Sequence, residues 1–297
     1  MLTYARLRSS PTTHKALTGL EIGQFAALLV KWQRLFPEMR RRDARGKGIR
    51  GVGAGRKGTI RTDAQRLLLV LVYFRQYPTQ EFMGILFSIS QERVCELIRD
   101  LHPILEAVLG SACSLPQRPA LTNNQMLASI PGLVYLIDGA ERPIHRPKDP
   151  VRQKECYSGR KKRHCVKNNV IVDHRTRRIV GLGTTYNGSK HDKSMADEDR
   201  FTVSPQALVL GDTGFQGYEM GAVPMIRPKK KPRRNELSDS EKQDNRMISR
   251  ERVRVEHAIR GMKIWRIAKD IFRNRRKNFG DSAAYLAAGL WNFRLAA

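Results

Sequence analysis

The sequence predicts a mixed α/β domain preceded by an all-helical region. Two patterns and the chain's size carry that prediction. Apolar residues recur at three- and four-residue steps over roughly the first 110 positions, and from about residue 133 they gather into short runs that end at aspartates. With 297 residues, 40% of them apolar, the chain can bury a substantial core. The expected boundaries are 1–60 for an N-terminal helix and basic linker, 61–124 for a helical region, and 125–297 for the α/β domain.

Residues 18–36 read as an amphipathic helix with Phe25, Leu28, Leu29, Trp32 and Leu35 on one side. The following RRRDARGKGIRGVGAGRKGTIR is a basic linker suited to a phosphate backbone. It is no Walker loop, because Gly58 follows Lys57 and no strand precedes it. Residues 63–76 form a strongly apolar helix capped by Thr62 or Asp63 and ended by Pro78. A short helix over 80–86 follows. Ser88 and Gln91 have capping-box spacing ahead of a longer helix marked by Val94, Leu97, Ile98 and Leu101. Short helix, tight turn and long helix give helix-turn-helix geometry, with Gln91, Arg93, Glu96 and Arg99 on the outer face.

After a loop over 111–124, GLVYLIDGAERPI reads as a strand ending at Asp138. HCVKNNVIVD and RIVGLGTTYNG are two more strands, and 192–200 is a short helix. QALVLGDTGFQG is a strand stopping at Asp212 and Gly214, and AVPMIRPKKKPRR a short fifth strand entering a basic loop. A helix over 246–269 carries the stripe Val255, Ala258, Ile259, Met262 and Trp265. Arg252, Glu256 and Lys263 share a second face of it. A last helix covers 282–294.

The formal net charge is +27, which points to a polyanionic partner, nucleic acid before any other. The longest apolar run, 67–74, is far short of the roughly 20 residues of a membrane span. The first residues lack a hydrophobic signal core, so an intracellular protein with no membrane partner is expected. Cys95, Cys113, Cys156 and Cys165 are too scattered for a disulfide framework. Cys156 and Cys165 stand near His164 and His174, but without a CxxC pair structural zinc is disfavoured.

The chemistry centres on Asp138 and Asp212, each after an apolar run and before a glycine or small residue, together with Glu256. Three carboxylates in one cleft ionise only if cations compensate them. Mg²⁺ does so through oxygen ligands, and a pair of ions about 4 Å apart can clamp an in-line phosphoryl displacement. Asp212 is favoured over Asp192 as the second carboxylate, because Asp192 starts a helix and would serve as its N-cap. Glu141 and Glu251 read as partners for nearby arginines, and His164 and His191 as solvent- or DNA-facing.

These stretches carry a resemblance. IDGAERPIHRP, YSGRKKRHCVKNNVIVD, GSKHDKS, GDTGFQG and NRMISRERVRVEHAIRGMK, in that order, resemble the transposases of the IS5 family within the DDE superfamily. The resemblance implies an RNase H-like catalytic domain behind a helix-turn-helix region. It implies two divalent ions, Mg²⁺ or Mn²⁺, on Asp138, Asp212 and Glu256. It further implies cleavage at transposon ends and attack of the freed 3′-hydroxyl on target DNA. The family's Y-(2)-R-(3)-E-(6)-K signature matches at Arg252, Glu256 and Lys263, with Ser249 in the tyrosine's place; Ala140 stands where threonine is expected.

Double-stranded DNA, both terminal inverted repeats and target, is then the partner. Arg93, Arg99, Arg160, Lys161, Lys162, Lys229, Lys230, Lys231, Arg252 and Lys263 are the candidate contacts. A homodimer on two ends is expected, in the bacterial-type cytoplasm on the nucleoid. A metal-dependent endonuclease without strand transfer and a domesticated, non-catalytic DNA-binding protein are the alternatives.

Overall fold

The computed structural model describes residues 1–46, 58–119, 134–221, 223, 225–232 and 236–296. The middle of the Arg/Gly linker, the end of the 111–124 loop, and Arg233 and Arg234 lie outside these. The chain divides into two units, Met1–Leu115 with Ile264–Ile267 and the C-terminal end, and Pro116–Lys263 with Ala268–Leu295.

The first unit is all helical: α1 (Tyr4–Arg8), α2 (Pro11–Thr18), α3 (Ile22–Gly46), α4 (Asp63–Gln76), α5 (Gln80–Phe87) and α6 (Gln91–Ser111). α4 is its centre. Leu67 through Phe74 carry no polar side chain but the Tyr73 hydroxyl, and all eight are buried, so this helix is covered all round. Thr62 caps it by accepting from the Gln65 N–H at 3.2 Å. Its end is forced by Pro78, which disfavours helical geometry at the residue before it; Tyr77 turns left-handed instead (φ 47°).

Two expectations are corrected here. The helix over 18–36 is divided, because Gly19 (φ 77°) terminates α2 and α3 begins only at Ile22. The cap of α6 is Ser90, which accepts from the Arg93 N–H at 3.3 Å; Ser88 takes a left-handed conformation and closes α5. The buried faces of α3 and α6 hold Phe25, Leu28, Trp32, Val94, Leu97, Ile98, Leu101 and Leu105, as the periodicity requires.

The second unit is a mixed α/β fold. Its elements are β1 (Val134–Pro143), α7 (Pro150–Cys156), β2 (Tyr157–Ser158), β3 (Arg163–Asp173), β4 (Ile179–Leu182), β5 (Tyr186–Asn187), α8 (Asp192–Asp199), β6 (Leu208–Leu210), a 3₁₀ turn (Thr213–Phe215), β7 (Met225–Ile226), α9 (Asp239–Met262) and α10 (Phe279–Ala296). The sheet order is β2-β3-β1-β6-β7, with β4 and β5 also paired to β3. β1 and β3 run antiparallel, while β1, β6 and β7 run parallel. The parallel return from β1 to β6 needs a crossover, and α8 lies on that connection. This mixed sheet with flanking helices is the arrangement expected of an RNase H-like domain.

On one side of the sheet Tyr135, Ile137, Ile171, Ala196, Phe215 and Met225 make a common core. α9 packs against β1 and β3 and buries Val255, Ala258, Ile259 and Met262. The strand expected to stop at Asp138 continues to Pro143, held by β3 along its length. RIVGLGTTYNG forms two short strands, and α7 and β2 had no counterpart among the expected elements. The helix expected over 246–269 starts at Asp239 and stops at Met262. A full Ser238–Glu241 capping box sets its start. Trp265 lies beyond its end, buried within the first unit beside Gly19. Among the described residues no helix is long and apolar enough to cross a membrane.

Candidate active site

The register of two parallel strands brings Asp138 and Asp212 together. Leu136 pairs with Leu210, the last partner of β1 on β6. Asp138 and Asp212 each stand two residues beyond that pair, near enough for the Asp212 charge to act on the Asp138 carboxyl. Asp138 lies inside β1, opposite Val170 of β3. Asp212 ends the β6 segment and caps the 3₁₀ turn, accepting from the Thr213 N–H at 2.7 Å.

Burial pushes the Asp138 carboxyl above the usual aspartate range. The Gly139 N–H, donating at 2.8 Å, and the Arg252 guanidinium draw it back, while Asp212 and Asp192 push it up again. A local excess of negative charge carried only by oxygen donors suits a hard divalent cation; there is no sulfur or imidazole among these four groups to suit zinc.

Arg252 reaches this edge from α9, with Nη1 3.5 Å from Asp212 Oδ1. Its side chain is only 13% exposed, and its buried Nε has no hydrogen-bond partner. Glu256, one turn further along α9, is exposed. Among the described residues no three acidic, histidine or cysteine side chains are gathered closely enough to hold an ion. The structure thus brings Asp138 and Asp212 together with Arg252 and does not gather Glu256 with them into one ligating group. Lys263 is the C-cap of α9. Burial lowers its ammonium pKa; Glu141 opposes that shift, and Arg163, Lys161 and Arg142 add to it.

Asp192 is the first residue of α8, not its cap; the cap is His191, whose Nδ1 is 3.4 Å from the Lys193 N–H. Asp192 pairs with Lys167 of β3 at 3.4 Å. Glu141 accepts from the Ser158 hydroxyl at 3.3 Å and the Cys165 thiol at 3.7 Å, where arginine partners were expected. Glu251 bonds to His174 and lies 3.6 Å from Arg254, so that expectation holds in part. His164 packs edge-on to Tyr157, and His191 is exposed.

The proposed DNA contacts differ in how free they are. Arg160, Lys161 and Lys162 are exposed on the turn before β3. Lys229 is held by Glu241, Lys231 by Glu236 at 2.9 Å, and Lys230 is exposed between them. Arg93 pairs with Glu96 at 2.7 Å and Arg99 with Asp100 at 2.9 Å. Sequence reasoning did not single out Lys167, Asn169 or Asp199. Lys167, Asn168 and Asn169 are consecutive polar residues, so no alternation marked a face; only strand geometry puts Lys167 and Asn169 on one face of β3.

Residues 137–292 match the model of the DDE superfamily endonucleases, a span that contains both aspartates, Arg252 and Glu256. The chain belongs to the DDE endonuclease superfamily. Residues 63–111 of this DDE endonuclease match the helix-turn-helix of the same superfamily, which covers α4 to α6. A probable transposase for insertion sequence element IS702 from Microchaete diplosiphon is 32% identical over 231 residues, covering 78% of this chain and 80% of that protein. A putative transposase for insertion sequence element IS112 from Streptomyces albus G is 24% identical over 263 residues, 88% of each. No solved structure matches the chain.

Proposed function

We propose that this DDE endonuclease is a DNA transposase of the IS5 type, cutting at transposon ends and joining the freed 3′-hydroxyl to target DNA. The observation that carries the reading is the nearness of Asp138 and Asp212 just past the last paired residues of two parallel strands, each within reach of the Arg252 charge, on a chain of net charge +27. Asp138 and Asp212, with Glu256 as the third candidate ligand brought in from its exposed position on α9, would hold two divalent ions, Mg²⁺ or Mn²⁺. Their chemistry would be polarisation of the scissile phosphate and a nucleophilic water near neutral pH. Arg252 and Lys263 hold phosphate oxygens, and the exposed Arg160, Lys161, Lys162 and Lys230 track the backbone beyond the cut. In the joining step the 3′-oxygen forms a bond to a target phosphorus as that phosphorus releases its own 3′-oxygen; the hydroxyl proton passes to solvent. Two ends joined together call for a homodimer on DNA. Residues 61–124 bind the ends and 125–297 carry the chemistry, in the cytoplasm on the nucleoid.

The test is cleavage of labelled DNA from the flanks of the encoding gene, with and without Mg²⁺, followed by incubation of pre-cut ends with plasmid. Metal-dependent nicks and strand-transfer products are expected. Nicks without joining would leave an endonuclease; the absence of both would overturn the reading.

The helix-turn-helix adds a smaller prediction. α5 and α6 carry five carboxylates (Glu81, Glu92, Glu96, Asp100, Glu106) against two arginines, Arg93 and Arg99. Glu96→Ala frees Arg93 for a phosphate, so affinity for end DNA should rise about threefold at low salt. The salt dependence should steepen by about 0.9, the increment of one neutralised phosphate. Fluorescence anisotropy across a salt series reads both.

A further inference from the structure

Asp192 has no part in the reading above, yet its surroundings are shaped around it. Its Oδ1 lies 3.4 Å from Lys167 Nζ, and the two side chains are only 22% and 12% exposed. Lys167 also donates to the Lys190 carbonyl at 3.2 Å, which fixes the ammonium from a second side. The carboxylate sits between two glycines that follow the proposed ligands. A β-carbon on Gly139, next to Asp138, would stand 3.3 Å from Asp192 Oδ1; one on Gly214, two residues after Asp212, would stand 3.1 Å from Oδ2. At the far end of α8, Asp199 accepts from Asn169 at 2.7 Å. Lys167 and Asn169 share a face of β3, so the helix is tied to that strand at both ends.

We propose that Asp192 is a positioning residue, held by Lys167, that sets the spacing of Asp138 and Asp212 and does not itself bind the ion. The inference rests on the metal reading above. Its physical basis is that Lys167 already supplies the cation Asp192 needs, whereas the cation that acts on both Asp138 and Asp212 among the described residues is Arg252. The negative charge of Asp192 reaches Asp138, in keeping with a carboxylate seated beside the site.

A change that removes both partners separates positioning from ligation. Asp192→Asn alone deletes a negative charge and weakens cation binding under either role. Combined with Lys167→Gln it leaves the net charge as it was and retains a hydrogen-bonding pair of similar shape. Mn²⁺ binding to the full-length protein, followed by loss of the free-ion electron paramagnetic resonance signal, reads the difference without any cleavage step.

Asp138→Asn should weaken binding by at least about tenfold and Asp192→Asn by about tenfold, the scale on which supporting groups act on metal affinity. The Asp192→Asn/Lys167→Gln protein should return to within about threefold of the parent, as a coupled pair requires. If it stays as weak as Asp192→Asn while Asp138→Asn is weakened, Asp192 is a ligand and this inference alone is overturned. A parent-like Asp192→Asn overturns it as well. A parent-like Asp138→Asn removes the metal reading and this inference with it. Should the paired variant fail to fold, Lys167→Gln with Asp192 intact takes its place. It removes a competing cation, so weaker Mn²⁺ binding supports a positioning role, and unchanged or tighter binding, as expected of a carboxylate released to ligate, overturns it.

Discussion

Asp138→Asn is expected to lower Mg²⁺-dependent nicking by about a thousandfold while leaving DNA affinity unchanged or slightly tighter. An ion at a transferring phosphate contributes several kcal/mol to the transition state, and each 1.36 kcal/mol is tenfold in rate, so about three decades follow from displacing one ligand. The change preserves shape. The oxygen that accepts from the Gly139 N–H at 2.8 Å has a counterpart in asparagine, so β1 keeps its register. Binding should behave differently because, under the proposed function, Asp138 would face phosphate only across an ion, and removing one negative charge from a basic surface favours attraction for DNA. Supercoiled plasmid relaxation and anisotropy on the same protein measure the two effects. Nicking at the parental rate would remove Asp138 from the chemistry. Glu256→Gln should bring a comparable loss, and an unaffected rate there would show that Glu256 is not the third ligand.

How far the sequence carried this picture depends on the range of the forces involved. The helical region was legible where burial is periodic. Phe25, Leu28 and Trp32, like Val94, Leu97 and Leu101, fall at helical steps because a single face of each helix is covered. Ends were less legible, since the choice between Ser88 and Ser90 turns on which residue adopts a left-handed conformation, and the capping-box spacing to Gln91 pointed to Ser88. The strand through Asp138 was cut short for another reason. Gly139 and Ala140 look like a turn in isolation, and it is the antiparallel pairing with β3 that keeps the backbone extended to Pro143.

The candidate site was partly legible for the same physical reason. Apolar runs ending in Asp138 and Asp212 announce themselves, and their adjacency follows from strand register. The long-range polar pairs do not. Lys167 with Asp192 joins residues 25 apart, and Asn169 with Asp199 residues 30 apart. Nothing in the local pattern of a polar strand face names its partner.

Asp199→Ala should cost the second unit about 3–5 kcal/mol, and Asp199→Asn much less. Asp199 is buried and accepts four hydrogen bonds, from Asn169 Nδ2 at 2.7 Å, the Thr184 N–H at 3.0 Å, the Thr184 hydroxyl at 2.9 Å and the Tyr186 hydroxyl at 3.0 Å. Alanine leaves those donors unmatched in a cavity, at about 1–3 kcal/mol for each buried group that stays unsatisfied. Asparagine keeps one oxygen for the Thr184 and Tyr186 donors. Its amide then meets Asn169, whose buried Oδ1 has no partner; turning that side chain over restores a bond.

The pH response separates Asp199→Asn from the parent. Burial raises the Asp199 pKa above 3.8 despite its hydrogen bonds. Folding therefore favours the protonated form, and the contribution of Asp199 to stability is full below the unfolded value and falls as pH rises through the native one. Asparagine does not titrate, so the stability of Asp199→Asn relative to the parent should improve as pH increases from about 4 through that native value. Urea unfolding of both proteins over a pH series tests the sign. A stability of Asp199→Asn relative to the parent that falls or stays flat with rising pH would show that the donors around Asp199 stabilise its charge by more than burial opposes it.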